Sequence, residues 1–149
     1  MQNNLELEKL DTVTLKHILK VKLLENQEKA QNDFLEFVKS VWPDFIEGYH
    51  HKIYAEKLNR VARGELKRLI VNMPPRHTKS EFASHLFPAF FMGRHPKAKL
   101  IQTTHTGELS IRFGRKTKNL LESDEYAKIF PHVHLAADSK AAGRWESNH

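Results

Sequence analysis

The sequence predicts an α/β fold, in which a parallel sheet is flanked by helices and preceded by a helical leader. Residues 69–71 form a short apolar, partly β-branched run, and residues 99–104 are a second strand candidate. Each is followed by apolar residues at helical spacing, over 79–92 and 108–121, the second with Thr106 as a possible cap. The order strand, loop, helix, strand, helix is that of a βαβ unit, which implies parallel strands.

We divide the chain into a helical leader, residues 1–32, and a domain part, residues 33–149. The leader is charged and moderately amphipathic, with Asp11 or Thr12 as a plausible N-cap. Apolar residues at helical spacing predict two further helices before the first strand, one over 33–41 that stops before Pro43 and one from Gly48 to about Gly64.

Composition excludes several classes of protein. The 149 residues are 40% apolar and 28% charged, as in an average soluble protein, and no uninterrupted apolar run is long enough to span a membrane. The absence of cysteine excludes disulfides, thiolate zinc sites and cysteine nucleophiles. With 24 Lys and Arg against 18 Asp and Glu, the net charge of +6 fits a nucleic-acid partner, and it fits an ordinary basic surface equally well. Because the N-terminus lacks the features of a signal peptide, we expect a cytoplasmic protein.

The segment from Leu69 to Ser80, LIVNMPPRHTKS, has features of a phosphate-binding loop. Such a loop needs a strand that ends abruptly, inward-facing backbone N–H groups, a lysine for the phosphates and a hydroxyl for Mg²⁺ at a helix start. Lys79 and Ser80 supply the two side chains, but Met73 and Thr78 stand where the standard pattern has glycine. From the residues alone, a proline turn before an ordinary capped helix explains the segment equally well.

The string from Asn72 to Ser80, NMPPRHTKS, resembles the variant Walker A motif of phage terminase large subunits, which commonly reads P-P-R-H-G-K-S. Further segments resemble landmarks of that family in the same order: residues 48–58, which in the family contribute to the adenine pocket, residues 87–96, residues 126–131 and Trp145. The resemblance covers about Phe34 to His149 and points to the N-terminal part of the ATPase domain.

The resemblance implies a partial P-loop NTPase of the RecA-like, or ASCE, type that uses ATP and Mg²⁺. Lys79 would contact the β- and γ-phosphates and Arg76 would stabilise the transferring phosphoryl group, so both would be catalytic. Ser80 would ligate the metal. The cofactor-binding set would be the loop and the first helical turn, namely Pro75, Arg76, His77, Thr78, Lys79, Ser80 and Glu81.

The same resemblance implies a motor that packages double-stranded DNA into a procapsid in the cytoplasm of an infected bacterium. Its partners would be the portal protein, the small terminase and further copies of the chain in a ring. An ATPase of this class also needs an apolar strand ending in an acidic pair, the Walker B motif, which the 149 residues do not contain. In the family that strand and a metal-dependent nuclease domain lie further along, so we expect this chain alone to be inactive or nearly so.

Two alternatives remain open. The chain could be a non-catalytic half-domain that binds DNA or protein, or a different P-loop ATPase such as a helicase, although those normally keep glycine at the position of Thr78. Arg112, Arg115 and Lys118 share one helix face and could contact DNA phosphates, or Arg115 could reach a neighbouring subunit's nucleotide. A solvated basic face is an equally simple explanation. The ten histidines show no third ligand at metal-binding spacing, so no histidine metal site is predicted.

Overall fold

The computed structural model describes residues 11–136, which fold into helices joined by turns and irregular segments. The helical elements are α1 (Thr12–Asn32), α2 (Phe34–Val41), α3 (Tyr49–Ala62), α4 (Lys79–Glu81), a π-helical turn (Phe82–Leu86), α5 (Phe87–Arg94), α6 (Gly107–Leu121) and α7 (Asp124–Ile129). The segment from α4 to α5 is continuous, so the helix expected over 79–92 is present with a π-helical turn inside it. The parts of the leader and domain in residues 1–10 and 137–149, with Trp145, lie outside the described residues.

Side-chain caps explain where several helices begin. The Asp11 carboxylate accepts a hydrogen bond from the Thr14 N–H at 2.6 Å, and the Thr106 hydroxyl accepts one from the Leu109 N–H at 3.3 Å. Such a bond satisfies one of the N–H groups that the first turn of a helix leaves unpaired. The predictions of Asp11 and Thr106 as caps are therefore confirmed.

The predicted parallel sheet is wrong, because residues 11–136 contain no strand and no sheet. In the run 69–71, Ile70 is 87% exposed while its two neighbours pack partly against the helices. In the run 99–104, Ile101 is 91% exposed. A strand is stabilised by backbone hydrogen bonds to a neighbouring strand, and no such bond joins these two runs within the described part. Both runs are irregular segments laid along a helical domain, so the described chain is helical rather than α/β. The RecA-like P-loop NTPase fold, which is built on a parallel sheet, was therefore also wrongly predicted for the described residues.

Aromatic side chains fill the core between α2, the π-helical turn, α5 and α7. Phe34, Phe37, Phe82, Phe90 and Tyr126 are each fully buried. The Phe34 ring meets those of Phe82 and Phe90 edge-on, with centroids 5.2 and 5.5 Å apart, an arrangement that aromatic rings favour. The Tyr126 hydroxyl donates a hydrogen bond to the Ala89 carbonyl at 3.0 Å, so its polar tip is satisfied inside the core.

The end of α1 is fastened to this core. Ala30 is fully buried, and the Gln31 side-chain amide donates to the Ile129 carbonyl of α7 at 2.5 Å. The Arg94 guanidinium of α5 donates to the Asn32 carbonyl at 3.1 Å. Further back along the helix Leu19 and Leu23 are 60% and 68% exposed. The division of the chain at residue 32 stays a prediction.

No helix within residues 11–136 is both long and apolar enough to span a membrane.

Candidate phosphate-binding site

The loop before α4 has a backbone conformation that side chains rarely adopt. Arg76 has a φ of 66°, and Thr78 lies in the left-handed region with φ 58° and ψ 7°. Such angles are uncommon for residues other than glycine, and for a β-branched residue they are exceptional. Thr78 occupies the second glycine position of the phosphate-loop pattern, so the chain here takes up a glycine-like conformation with a threonine.

Lys79 turns back over this loop. Its ammonium donates a hydrogen bond to the Met73 carbonyl at 3.2 Å, and the side chain is half-buried. Ser80 follows it in the first turn of α4 and is exposed. Within residues 11–136 the Ser80 hydroxyl makes no hydrogen bond. One positive charge and one available hydroxyl therefore stand side by side where the loop becomes a helix.

The remaining residues of the predicted cofactor-binding set are divided between the loop and the domain. Pro75, Arg76 and His77 are exposed in the loop, where the Pro75 carbonyl accepts a hydrogen bond from His77 Nδ1–H at 2.9 Å. The Arg76 guanidinium makes no hydrogen bond or ion pair with any residue between 11 and 136. Glu81 is bound elsewhere, because its carboxylate accepts from the Lys116 ammonium of α6 at 2.6 Å.

The pKa values of Glu81 and His85 depend on their burial and on each other. Burial by itself would raise the pKa of the Glu81 carboxyl, but hydrogen bonds from Lys116 and His85 outweigh it and leave the pKa below its ordinary range. For His85, burial lowers the pKa, and the hydrogen bond to Glu81 at 3.1 Å offsets this only in part. Glu81 is thus an ionised group that ties α4 to α6.

A cleft of about 490 Å³ opens beside Lys79 and Ser80. Its remaining wall residues come from α3, the irregular segment and the helical segment after the loop: Tyr54, Leu58, Val61, Lys67, Leu69, Val71, Ala83, Ser84 and Phe87. This volume lies within the range of small-molecule and cofactor sites. The segment 48–58, which the resemblance associates with an adenine pocket, contributes Tyr54 and Leu58 to the wall.

His51 also contacts the loop, although the sequence analysis gave it no function. Its Nε2 lies 2.7 Å from the Thr78 hydroxyl oxygen, and its Nδ1 accepts a hydrogen bond from the Gly48 N–H at 2.8 Å. Burial, together with the neighbouring His50 and despite Glu47, lowers the pKa of His51. The adjacency of His50 and His51 was visible in the sequence, but nothing local indicated that one of them reaches a loop 27 residues away.

The basic helix α6 is amphipathic as expected, with Phe113, Thr117 and Leu121 buried. Arg112 and Arg115 are exposed on its outer side, whereas Lys116 is held by Glu81. In the stretch from 11 to 136, no group of three potential metal ligands is close enough to hold a metal ion.

Comparison of this chain with protein-family models, with curated proteins and with solved structures finds no match.

Proposed function

We propose that this chain binds a nucleoside triphosphate and Mg²⁺ through the loop and helix start at residues 72–80, as the ATP-binding part of a phage terminase large subunit. One observation carries the proposal: Thr78 lies in the left-handed conformation directly before Lys79, whose ammonium turns back over the loop onto Met73. A left-handed residue at this point bends the backbone so that successive N–H groups turn toward one side, which favours an anion there. The proposed site is formed by the loop and the helix start and requires no sheet.

The side chains around the loop fit the steps of phosphoryl transfer. The Lys79 ammonium would exchange its carbonyl partner for the terminal phosphates, which are stronger acceptors because they are charged. Ser80 would offer its hydroxyl to Mg²⁺, and Arg76, exposed on the rim, would stabilise charge that develops on the transferring group. None of these three side chains is held in an ion pair within the described residues.

The cleft suits the remainder of a nucleotide. Tyr54, Leu58 and Phe87 give it apolar wall area, while Lys79 and Ser80 line the same cleft. Nucleotide sites commonly combine an apolar surface for the base with a few polar groups that fix the phosphates. We propose that the base lies against these apolar side chains.

In the proposed function the bound nucleotide drives packaging of double-stranded DNA into a procapsid, in the cytoplasm of an infected bacterium. The portal protein, the small terminase and further copies of the chain would be partners. The support for these partners is the family resemblance of the loop and its flanking segments. The exposed Arg112 and Arg115 of α6 are the candidates for contact with DNA phosphates.

The test is calorimetric titration of the 149-residue chain with Mg-ATP, comparing the wild type with Lys79→Ala. Because hydrogen bonds to charged groups contribute most to such a site, we expect the substitution to weaken binding by about 10- to 100-fold or more. Lys97→Ala is the matched control, since Lys97 is an exposed lysine outside this cleft, and it should bind like the wild type.

A wild-type chain that does not bind Mg-ATP, or a Lys79→Ala chain that binds as well as the control, would overturn the proposal. Titration of labelled double-stranded DNA into the same samples distinguishes the proposal from its main alternative. DNA binding without nucleotide binding would favour a non-catalytic DNA-binding half-domain.

A further inference from the structure

The left-handed conformation of Thr78 needs a stabilising contact from outside the loop. In the standard pattern this position is glycine, which reaches the left-handed region without steric cost, whereas a β-branched residue does so only when its surroundings hold it there. Thr78 nevertheless has a φ of 58°. The contacts of its side chain therefore show what stabilises the conformation.

The Thr78 hydroxyl is part of a chain of hydrogen bonds that starts in another element. The Gly48 N–H, at the N-cap of α3, donates to His51 Nδ1 at 2.8 Å, so the ring proton of neutral His51 is on Nε2. His51 Nε2–H then donates to the Thr78 hydroxyl at 2.7 Å, and this hydroxyl donates to the His77 carbonyl at 2.7 Å. Each hydrogen bond in the chain has one direction, and the arrangement requires this tautomer of a neutral imidazole.

The imidazole that makes these contacts is itself held in place. His51 is 5% exposed, and its ring lies against Phe45 and Phe82 with centroid distances of 4.8 and 5.3 Å. Phe82 is fully buried in the core and begins the π-helical turn that follows the loop. The rigid His51 ring thus fixes the position of the Thr78 hydroxyl relative to the core.

We infer that His51 is a positioning residue of the phosphate-binding loop, whose neutral imidazole holds Thr78, and with it the backbone leading into Lys79, in the conformation that receives phosphate. The inference rests on the proposed function, because it concerns the same loop. In the standard pattern glycine reaches the left-handed conformation unaided, whereas here His51 stabilises that conformation through Thr78. Lys79 and Ser80 contact the nucleotide directly, whereas His51 acts through Thr78.

The test is a double-mutant cycle on Mg-ATP affinity, made from His51→Asn, Thr78→Gly and both together. Asparagine can place an oxygen near Nδ1 for the Gly48 N–H but does not reach Thr78. We expect His51→Asn to weaken binding by about five- to tenfold, as the loss of one partly buried hydrogen bond implies. In the Thr78→Gly background the same change should have little effect, because glycine adopts the conformation unaided.

His51→Gln is the matched variant, since its side-chain amide reaches the position of Nε2 and can donate to Thr78. It should bind Mg-ATP more tightly than His51→Asn. A merely structural role for His51 would lower the melting temperature of each variant, measured by circular dichroism, without making its effect on affinity depend on residue 78. Equal loss of affinity in both backgrounds would therefore overturn the inference and leave the proposed function standing.

A pH profile gives a second reading that needs no substitution at His51. A protonated His51 donates from both nitrogens, so the Gly48 N–H loses its acceptor. The charged or titratable groups that act on it are Glu47, His50 and His77. Protonation of His50 or His77 alone would strengthen binding of an anion. We expect acidification from pH 7.5 to about 5.5 to weaken Mg-ATP binding more in the wild type than in Thr78→Gly. Protonation of ATP itself affects the affinity of both chains equally, so it does not contribute to this difference. Parallel profiles, or a smaller acid-induced loss of affinity in the wild type than in Thr78→Gly, would overturn the inference.

Discussion

The aromatic core and the two irregular runs both contain large apolar side chains but use them differently. Phe34, Phe37 and Phe90 are fully buried, whereas Ile70 and Ile101 are almost entirely exposed. The core residues lie on helices, which satisfy their backbone hydrogen bonds internally and need only one covered face. The runs 69–71 and 99–104 make no backbone hydrogen bonds to each other within the described residues. Apolar composition therefore indicates burial only where the backbone is satisfied as well.

The strongest test of this contrast is a pair of large-to-small substitutions. Phe37→Ala should lower the free energy of unfolding by about 3–5 kcal/mol, because it removes a ring packed among other aromatic rings. Ile70→Ala, at a site 87% exposed, should change it by less than about 0.5 kcal/mol. Urea denaturation followed by circular dichroism measures both. Comparable losses would mean that residues 69–71 are packed in solution.

A second test concerns a contact that joins two helices of the core. Asn59 of α3 accepts a hydrogen bond from the buried Phe34 N–H at 2.8 Å and donates to the Asp33 carboxylate at 2.7 Å. Asn59→Ala leaves that N–H without a partner and should cost about 1–3 kcal/mol of unfolding free energy. Asn32→Ala is the control, because Asn32 is exposed and its side-chain amide bonds only to a carbonyl of its own helix, a bond whose loss leaves no buried group unpaired. If the two variants are equally stable, the hydrogen bond from the Phe34 N–H to Asn59 does not stabilise the fold.

The smallest expected effect is the change in the free energy of unfolding between neutral and mildly acidic pH. Burial lowers the pKa of His85, and likewise that of His51, in the folded chain. As pH falls below about 6.5, the unfolded chain takes up protons first, so the free energy of unfolding decreases until the folded pKa is passed. The stability contributed by neutral histidine is therefore present above this range and lost below it.

Urea midpoints measured between pH 7.5 and 5.5 should decrease in the wild type and decrease less in His85→Gln. His17→Gln, at an exposed site on α1, should behave like the wild type. A wild-type midpoint that is constant or rises on acidification would contradict the assignment of a neutral, half-buried His85.

The sequence predicted best what is decided locally. The caps Asp11 and Thr106 act on N–H groups three residues away, so spacing alone identifies them. The sheet was wrongly predicted, because a strand depends on a neighbouring strand and the periodicity of one segment does not show whether a neighbour exists. In 69–71, three apolar residues in succession indicated burial on both sides, but only one side of the segment packs against the helices.

The candidate site shows the same division. Lys79 and Ser80 were recognised because a lysine and a hydroxyl at a helix start form a local pattern. The left-handed Thr78 could not be foreseen, since residue type argues against it, and His51 lies 27 residues away in the chain. Asn59 likewise reaches Phe34 across 25 residues. The roles assigned to Lys79, Arg76 and Ser80 stay predictions until nucleotide binding is measured.

The π-helical turn at Phe82–Leu86 has a consequence for protein engineering. A turn of this kind accommodates one residue more than an α-helix would, and each residue rotates an α-helix by about 100°. On one side of it stand Lys79 and Ser80, and on the other stands Phe90, locked in the core. Deleting a single exposed residue such as Ala83 would remove that extra residue, and the segment would close into a regular α-helix with Lys79 and Ser80 kept near their orientation relative to the core. The same deletion in a regular α-helix would turn the pair by roughly a quarter of a circle, so the π-helical turn makes this segment tolerant of the loss of one residue.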